Sequence, residues 1–516
     1  MLLNKLKKIS IIDWMAILVI FLYLLSFIII NFKGQYIFYD SDMYADTLIS
    51  KYMWNSKSIF PSGWVFGNQC FVIGTPVIAS LIYGVCNNMF LSISIATTIV
   101  TLIIMFIFVW MLKPFYSKKS ILIGVLILLA SAIGCEIAKQ IEGQLLYLTV
   151  SYYSSYMITL LLASGCFARI VEGKKPPKAL IFLSLLLSLA CGMQSLRQTA
   201  LMVLPLIMCC FIFRKKECII YATEILVFNV IGIVIIKFFD PSFYTIYGNT
   251  NISSVSNFLS KILNGFDAIK KISGLRWLLK GNIVGLFGLL LLTIAIVVLF
   301  IVIFNRKNNG IRSLVFIFVF GIISTIGASV FTNVNLRYIY IFSYFPLVAV
   351  CCSYLVDIFN NDINNKMKSA GYLLSILLIV GSFGNLFISY WSEVNESLFY
   401  EDNSVEKSAC EYINDNNYNY VYMNWDHLGK CVNLNDNVVA GAWYGRPFRI
   451  IGYLNAQDVY DENHNKEAVY WLYENEVENA IEIANKNNAI FNKIAEFNNG
   501  EIQLFVSDKQ LMKFDK

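Results

Sequence analysis

Residues 11 to 46 read IIDWMAILVIFLYLLSFIIINFKGQYIFYDSDMYAD. From Ile11 to Asn31 the run is apolar for about 20 residues, the length at which an α-helix crosses the hydrocarbon of a bilayer. Lys5, Lys7 and Lys8 precede it and no small-residue cleavage site follows it, so it reads as a retained first span and not as a removed signal peptide. Just beyond it Asp40, Asp42 and Asp46 place three carboxylates within seven residues. Such a cluster is costly near lipid, so this stretch sets an acidic loop against the end of a membrane helix.

Working outward, apolar runs recur at about 92–112, 120–135, 146–168, 179–192, 199–213, 218–238, 282–304, 313–331, 338–357 and 370–390, which with the first makes about eleven expected transmembrane helices. Across all 516 residues 57% are hydrophobic and 14% charged, with a mean hydropathy of +0.62. Soluble domains carry about 25% charge, so a soluble cytosolic enzyme and a nucleic-acid-binding protein are both excluded. The expected fold is an all-α polytopic membrane domain, residues 1–390 with a long first external loop at 32–91, followed by a small α/β extracytoplasmic domain at 391–516.

The charge divides the same way. Residues 1–390 hold 30 Lys and Arg against 13 Asp and Glu, and residues 391–516 hold 10 against 21. Alternate short connections, together with the N-terminus, carry eighteen basic residues against eleven in the much longer remaining ones. The positive-inside rule then puts the N-terminus in the cytoplasm and the acidic tail outside. Phe71–Val85, too short to span and interrupted by Gly74 and Pro76, reads as a re-entrant or interface-lying helix. In the tail, 420–425 and 501–507 read as strands, 467–497 as helical, and Gly441–Pro447 (GAWYGRP) as a loop. Ten of twelve cysteines lie in or beside apolar segments as packing residues; Cys410 and Cys431 could pair outside the cell or stay free.

The chemistry-bearing residues gather on the outer connections. If Ser41 or Asp42 caps a helix, Asp42 and Asp46 share one of its faces at i, i+4 and repel. A divalent cation such as Mg or Mn on Asp40 and Asp42, a shared proton or a substrate hydroxyl would relieve that repulsion, making these acids a candidate general base or metal site. Plain helix capping by Asp40 or Asp42 is the alternative. Glu136, Lys139 and Glu142 form a second short polar connection that could hold a phosphate or metal, or simply snorkel to the interface. Arg197 and Arg337 sit outside against the charge bias, which points to an anionic partner held by a planar fork, with snorkelling to lipid headgroups as the alternative. The 239–281 loop, with five basic residues and Trp277, reads as partly helical and interfacial. His427 and His464, the only histidines, both fall in the tail, so a histidine metal site or triad in the membrane part is excluded.

Four segments in order resemble the C-type membrane glycosyltransferases: Tyr39–Asp46; the Gly-Thr-Pro-led run 74–85; Ser195-Leu-Arg-Gln-Thr-Ala200 leading to Pro205; and Leu336-Arg-Tyr338 leading to Pro346. That superfamily contains protein O-mannosyltransferases, aminoarabinose transferases and oligosaccharyltransferase catalytic subunits, and the chain resembles its members that use dolichyl- or polyprenyl-phosphate sugars. The resemblance implies that Asp40 or Asp42, supported by Asp46, acts as base or metal ligand. It also implies that Arg197, Arg337 and Lys139 hold the donor phosphate, with Glu136, Glu142 and Tyr338 in support. The implied partners are a polyprenyl-phosphate sugar donor, a glycan, lipid or polymer acceptor, and membrane lipids, with no nucleic acid. The chain lacks a strict Asp-Glu pair in the first loop and a WWD-type tail motif, which argues against oligosaccharyltransferase activity. The rival readings are a transporter or flippase of lipid-linked glycans, which would need ionisable residues mid-span, and an O-antigen-type polymerase or ligase, which would not need the acidic first loop.

Overall fold

The computed structural model describes residues 10–67, 69–131, 146–148, 152–239, 241, 255–281, 283, 285–305, 308–331, 337–361, 364–399, 404–450 and 454–513. In chain order its main helices are α1 (Ile11–Lys33), α2 (Ser41–Ser56), α3 (Thr75–Cys86), α4 (Met89–Leu112), α5 (Lys118–Ser131), α6 (Ser154–Val171), α7 (Lys178–Gln194), α8 (Leu204–Phe213), α9 (Lys216–Phe239), α10 (Val255–Ile272), α11 (Gly285–Phe304), α12 (Asn309–Phe331), α13 (Phe345–Asn361), α14 (Asn365–Phe399), α15 (Val405–Asp415) and α16 (Glu474–Lys486). Among the described residues eight helices are long and apolar enough to cross a membrane: α1, α4, α6, α9, α11, α12, α13 with its preceding turn, and α14. The protein is a multi-pass membrane protein. The other three expected spans contain helices described over 14 residues (α5, up to Ser131), 17 residues (α7) and 10 residues (α8, preceded by a five-residue turn).

The chain divides into two compact units: Met1–Ile28 with Thr98–Phe238 and Gly248–Val394, and Ile29–Thr97 with Phe239–Tyr247 and Asn395–Lys516.

The first unit is helical throughout its described part. Its helices approach closely where small residues permit. A Cβ on Gly192 of α7 would lie 3.0 Å from the Asn229 carbonyl carbon of α9, and one on Gly232 would lie 2.9 Å from the Met193 amide nitrogen. Lipid chains are as apolar as leucine, so contacts of this kind, plus interhelical hydrogen bonds, supply the association energy. Asn229 supplies two such bonds, donating to the Ser188 carbonyl (3.2 Å) and accepting from Thr199 Oγ1 (2.8 Å). Elsewhere in this unit α10 turns Gly265 and Ala268 inward against α12, while Leu259, Leu263 and Phe266 form an exposed apolar stripe. That pattern suits an interfacial helix.

The second unit joins the acidic loop to the tail. Its five-stranded sheet has the order β3-β2-β5-β7-β6, built from β2 (Tyr420–Asn424), β3 (Val439–Trp443), β5 (Ala468–Tyr473), β6 (Phe491–Phe497) and β7 (Ile502–Ser507). β2 pairs in parallel with β3 and β5, and β7 pairs antiparallel with β5 and β6. A separate two-stranded ribbon pairs β1 (Trp64–Val65) with β4 (Asn455–Ala456), so the first loop and the tail share backbone hydrogen bonding. α3, the run read as re-entrant or interfacial, packs on α2 in this unit, where a Cβ on Gly84 would collide with the Trp54 ring. Its outer side exposes Leu81 and Val85.

Two tail expectations are corrected. Residues 467–497 are a strand, a helix and a strand, because the aromatic run Ala468–Tyr473 is buried from Ala468 through Leu472, as in a central strand, and only Glu474–Lys486 carries an amphipathic helical period. The GAWYGRP segment begins inside β3, where Gly441, Ala442 and Trp443 are buried, and only its second half is a turn. Cys410 and Cys431 are both buried, and the Cys410 thiol donates to the Lys430 carbonyl at 3.8 Å.

Candidate functional site

The acidic residues lie at the head of α2, in the second unit. Asp40 is the N-cap, accepting the Met43 amide at 2.8 Å through Oδ1, the capping role that the sequence offered for Asp40 and Asp42 as the alternative to a chemical one. Asp42 is exposed in the first turn, where the helix dipole favours a negative charge. Asp46, one turn further, is 1% exposed, and its Oδ2 has no hydrogen-bond partner among the described residues. Burial pushes its carboxyl well above the usual range, and the Asp42 and Asp40 charges push it further. Burial therefore favours the protonated form of Asp46.

Two hydroxyls stiffen this turn. Thr47 Oγ1 donates to the Met43 carbonyl (2.8 Å) and accepts from the buried Tyr39 hydroxyl (2.9 Å). Burial raises the Tyr39 phenol above its ordinary value, which keeps it a neutral donor. The three carboxyl groups of one cluster thus sit in three different environments: Asp40 caps the helix, Asp42 is exposed and Asp46 is buried. Among the described residues no three His, Cys, Asp or Glu are grouped to hold a metal ion.

The basic residues lie in the first unit. Arg197 follows α7 in a four-residue connection where Ser195 Oγ accepts the Arg197 amide (3.2 Å) and hydrogen-bonds the Tyr156 hydroxyl (2.9 Å). The Arg197 guanidinium carbon is 5.4 Å from the ring centres of both Tyr153 and Tyr338. Arg337 reaches the same Tyr153 ring at 5.7 Å. Tyr153 and Tyr338 meet edge to face at 5.3 Å with their hydroxyls 3.5 Å apart, and Phe342 closes the group. A guanidinium within about 6 Å of an aromatic ring gains roughly 0.5–2 kcal/mol, more as water is excluded. Two guanidiniums on one ring concentrate positive charge and present phenol donors beside it.

Both arginines stand at the entrance of the same local structure. Arg197 precedes a π-helical turn at Thr199–Val203 and Arg337 precedes one at Ile339–Tyr344; Pro205 and Pro346 follow near the start of α8 and α13. A proline cannot donate to the carbonyl four residues back and crowds it, and widening the turn relieves both problems. Ser324 of α12 donates to the Ala200 carbonyl (2.7 Å), satisfying one group in the first turn.

Of the sequence-derived candidates the structure brings together Asp40, Asp42 and Asp46 in one unit, and Arg197, Arg337 and Tyr338 in the other. Lys139, Glu136 and Glu142 lie outside the described residues. Tyr153 and Tyr156 were not anticipated. They lie within the run Ser151-Tyr-Tyr-Ser-Ser-Tyr156, whose hydroxyl density was the available signal, masked by reading the span as starting at 146 when its helix starts at Ser154.

The fold and the site define a polytopic membrane protein with two arginines on a tyrosine cluster in one unit and an acidic helix start in the other. No family model matches the chain, and no curated protein matches it in sequence. Among solved structures it is similar to ArnT from Cupriavidus metallidurans bound to undecaprenyl phosphate, with a TM-score of 0.59, 11% identity, and coverage of 98% of this chain and 100% of that one. The apo state of the same ArnT gives 0.54 at 11% identity, covering 96% and 98%. The chain therefore has the C-type membrane glycosyltransferase fold, as the sequence resemblance implied.

Proposed function

We propose that this chain is an integral membrane glycosyltransferase that moves a sugar from a polyprenyl-phosphate donor to an acceptor on the outer face of the membrane, with the N-terminus cytoplasmic and the tail extracytoplasmic. The observation that carries this reading is the convergence of Arg197 and Arg337 on Tyr153. A lipid-linked phosphate is an anion already at the membrane, and paired guanidiniums match its oxygens and stabilise the charge that grows as it leaves. Lys139 joins them on sequence grounds. The ArnT structure, with undecaprenyl phosphate bound on the same fold, supports a donor of this class.

In the reaction Asp42 takes the proton of an acceptor hydroxyl. The acceptor oxygen forms its bond to the anomeric carbon as the bond from that carbon to the phosphate oxygen breaks, with inversion. Asp42 suits the base because it is exposed to solvent, while Asp40 is committed to the Met43 amide and burial favours the protonated form of Asp46. The acceptor is a glycan, lipid or polymer hydroxyl of the cell envelope. No step is routed through a cation, and a chelator arm tests the Mg or Mn alternative on Asp40 and Asp42.

The test is transfer of labelled sugar from a panel of polyprenyl-phosphate donors in membranes holding wild type, Asp42→Asn or Asp40→Asn at equal protein levels, with and without chelator. Loss of a general base costs about 10²- to 10⁴-fold, expected for Asp42→Asn and not for Asp40→Asn. Equal activity in wild type and Asp42→Asn refutes the assignment of the base.

A further inference from the structure

The tail grips the acid-bearing helix at its first turn. Ser41, buried between exposed Asp40 and Asp42, donates its hydroxyl to the Trp425 carbonyl. Trp425 opens the 3-10 segment Trp425–Asn433, and four residues into it Gly429 lies against the same turn. A Cβ there would sit 2.7 Å from the Tyr39 carbonyl carbon and 3.0 Å from that of Asp40. Further along α2 the fully buried Tyr44 hydroxyl accepts the Ala440 amide at 3.1 Å, and Lys51 donates to the Asp436 carbonyl. The Asp436 carboxylate in turn accepts the Met89 amide at the start of α4 (3.2 Å).

At about 100° per residue, Ser41, Tyr44 and Lys51 share one face of α2, and Asp42 and Asp46 fall on the opposite one. The contacts also bracket Asp40 on both sides, with Gly429 closing on Tyr39 and Asp40 and Ser41 tied to Trp425. Clearance at Gly429 leaves no room for any side chain, so the backbone of the tail itself sets the position of the turn.

We infer that the segment Trp425–Asn433 is a clamp that fixes the direction of Asp40 and Asp42, with Ser41 and Gly429 as its positioning residues. The catalytic consequence rests on the glycosyltransferase reading above; the clamp itself does not. It gives the tail a part in the reaction through the position of the acids. At the first turn of α2 movement of the tail reaches them through the Ser41–Trp425 hydrogen bond and the Gly429 backbone contact, and one turn further on through Tyr44 and Ala440.

The test uses the full chain in lipid nanodiscs as wild type, Ser41→Ala, Ser41→Thr and Gly429→Ala. Backbone hydrogen exchange of the peptide covering 39–48 is read beside kcat and the donor KM. Ser41→Ala and Gly429→Ala are expected to speed exchange in that peptide and lower kcat by about ten- to a hundredfold with donor KM within about twofold, since a small misplacement of a reacting group has effects of that order. Ser41→Thr keeps the hydroxyl and is expected to restore both. Exchange at the wild-type rate in both Ser41→Ala and Gly429→Ala overturns the clamp. Faster exchange with kcat unchanged overturns its positioning role. A wild type that transfers no sugar, with the exchange pattern as expected, overturns the glycosyltransferase reading and supports the clamp.

Discussion

Asp46 differs from its acidic neighbours in burial, and burial decides what each does with a proton. Ionising a carboxyl that is 1% exposed, with one oxygen lacking a hydrogen-bond partner among the described residues, costs several kcal/mol, so burial favours its neutral form. Its folded pKa lies above its unfolded one. The stabilisation this brings is complete below the unfolded value of about 4 and is lost as pH rises toward the folded one. Asp46→Asn mimics the neutral form at every pH, so its melting temperature is expected to gain on wild type from pH 5 to pH 8. A variant that loses ground over that range contradicts a buried neutral acid. At Arg197 the account predicts that Lys is a poor substitute: it keeps the charge and loses the planar fork and its stacking against Tyr153 and Tyr338. Titration with a polyprenyl phosphate should show weaker binding for Arg197→Lys than for wild type, and equal binding would remove the guanidinium geometry from the explanation.

At the scale of elements, the arginines are placed by how their helices begin. Each π-helical turn absorbs a proline, and the α7–α9 crossing holds the Arg197 connection by letting Gly192 and Gly232 bring two backbones together. Gly232→Val places methyl groups where a Cβ would already lie 2.9 Å from the Met193 amide nitrogen. Overpacking of this kind costs roughly 1–3 kcal/mol, so a lowered melting temperature in detergent is expected, and an unchanged one would show that the crossing relaxes freely. The helices themselves were legible because apolar length follows directly from bilayer thickness: each of the eleven expected runs contains a helix among its described residues. The π-helical turns were not legible. Pro205 and Pro346 could be read as helix starts equally well, and which carbonyls a proline frees is settled by packing.

At the scale of the molecule, the first loop is packed and hydrogen-bonded onto the tail. Trp64 is 2% exposed and pairs through β1 with Ala456, and Tyr44 is buried with its hydroxyl on Ala440. A chain ended after Phe399 is therefore expected to leave residues 41–97 open to limited proteolysis, and continued resistance of that segment would show that it folds without the tail. Periodicity could not foretell this joining, since β1 is two residues long and pairs with a partner nearly 400 residues away. The same limit explains the misread tail helix: strand β5 and helix α16 run on without a break, and only pairing with β2 and β7 separates them. The candidate site was legible by residue type, through acids beside a span and arginines against the charge bias. Tyr153 stayed hidden because its role exists only where separate helices meet.

The most direct measurement is the initial rate of labelled-sugar transfer from a polyprenyl-phosphate donor by the purified full chain, comparing wild type with Arg197→Ala and Arg337→Ala. The account predicts transfer by wild type and a loss of about a hundredfold or more in each variant, the scale of removing one preorganised group that stabilises a developing charge. Transfer at the wild-type rate by both variants, or none by wild type from any donor, would contradict it.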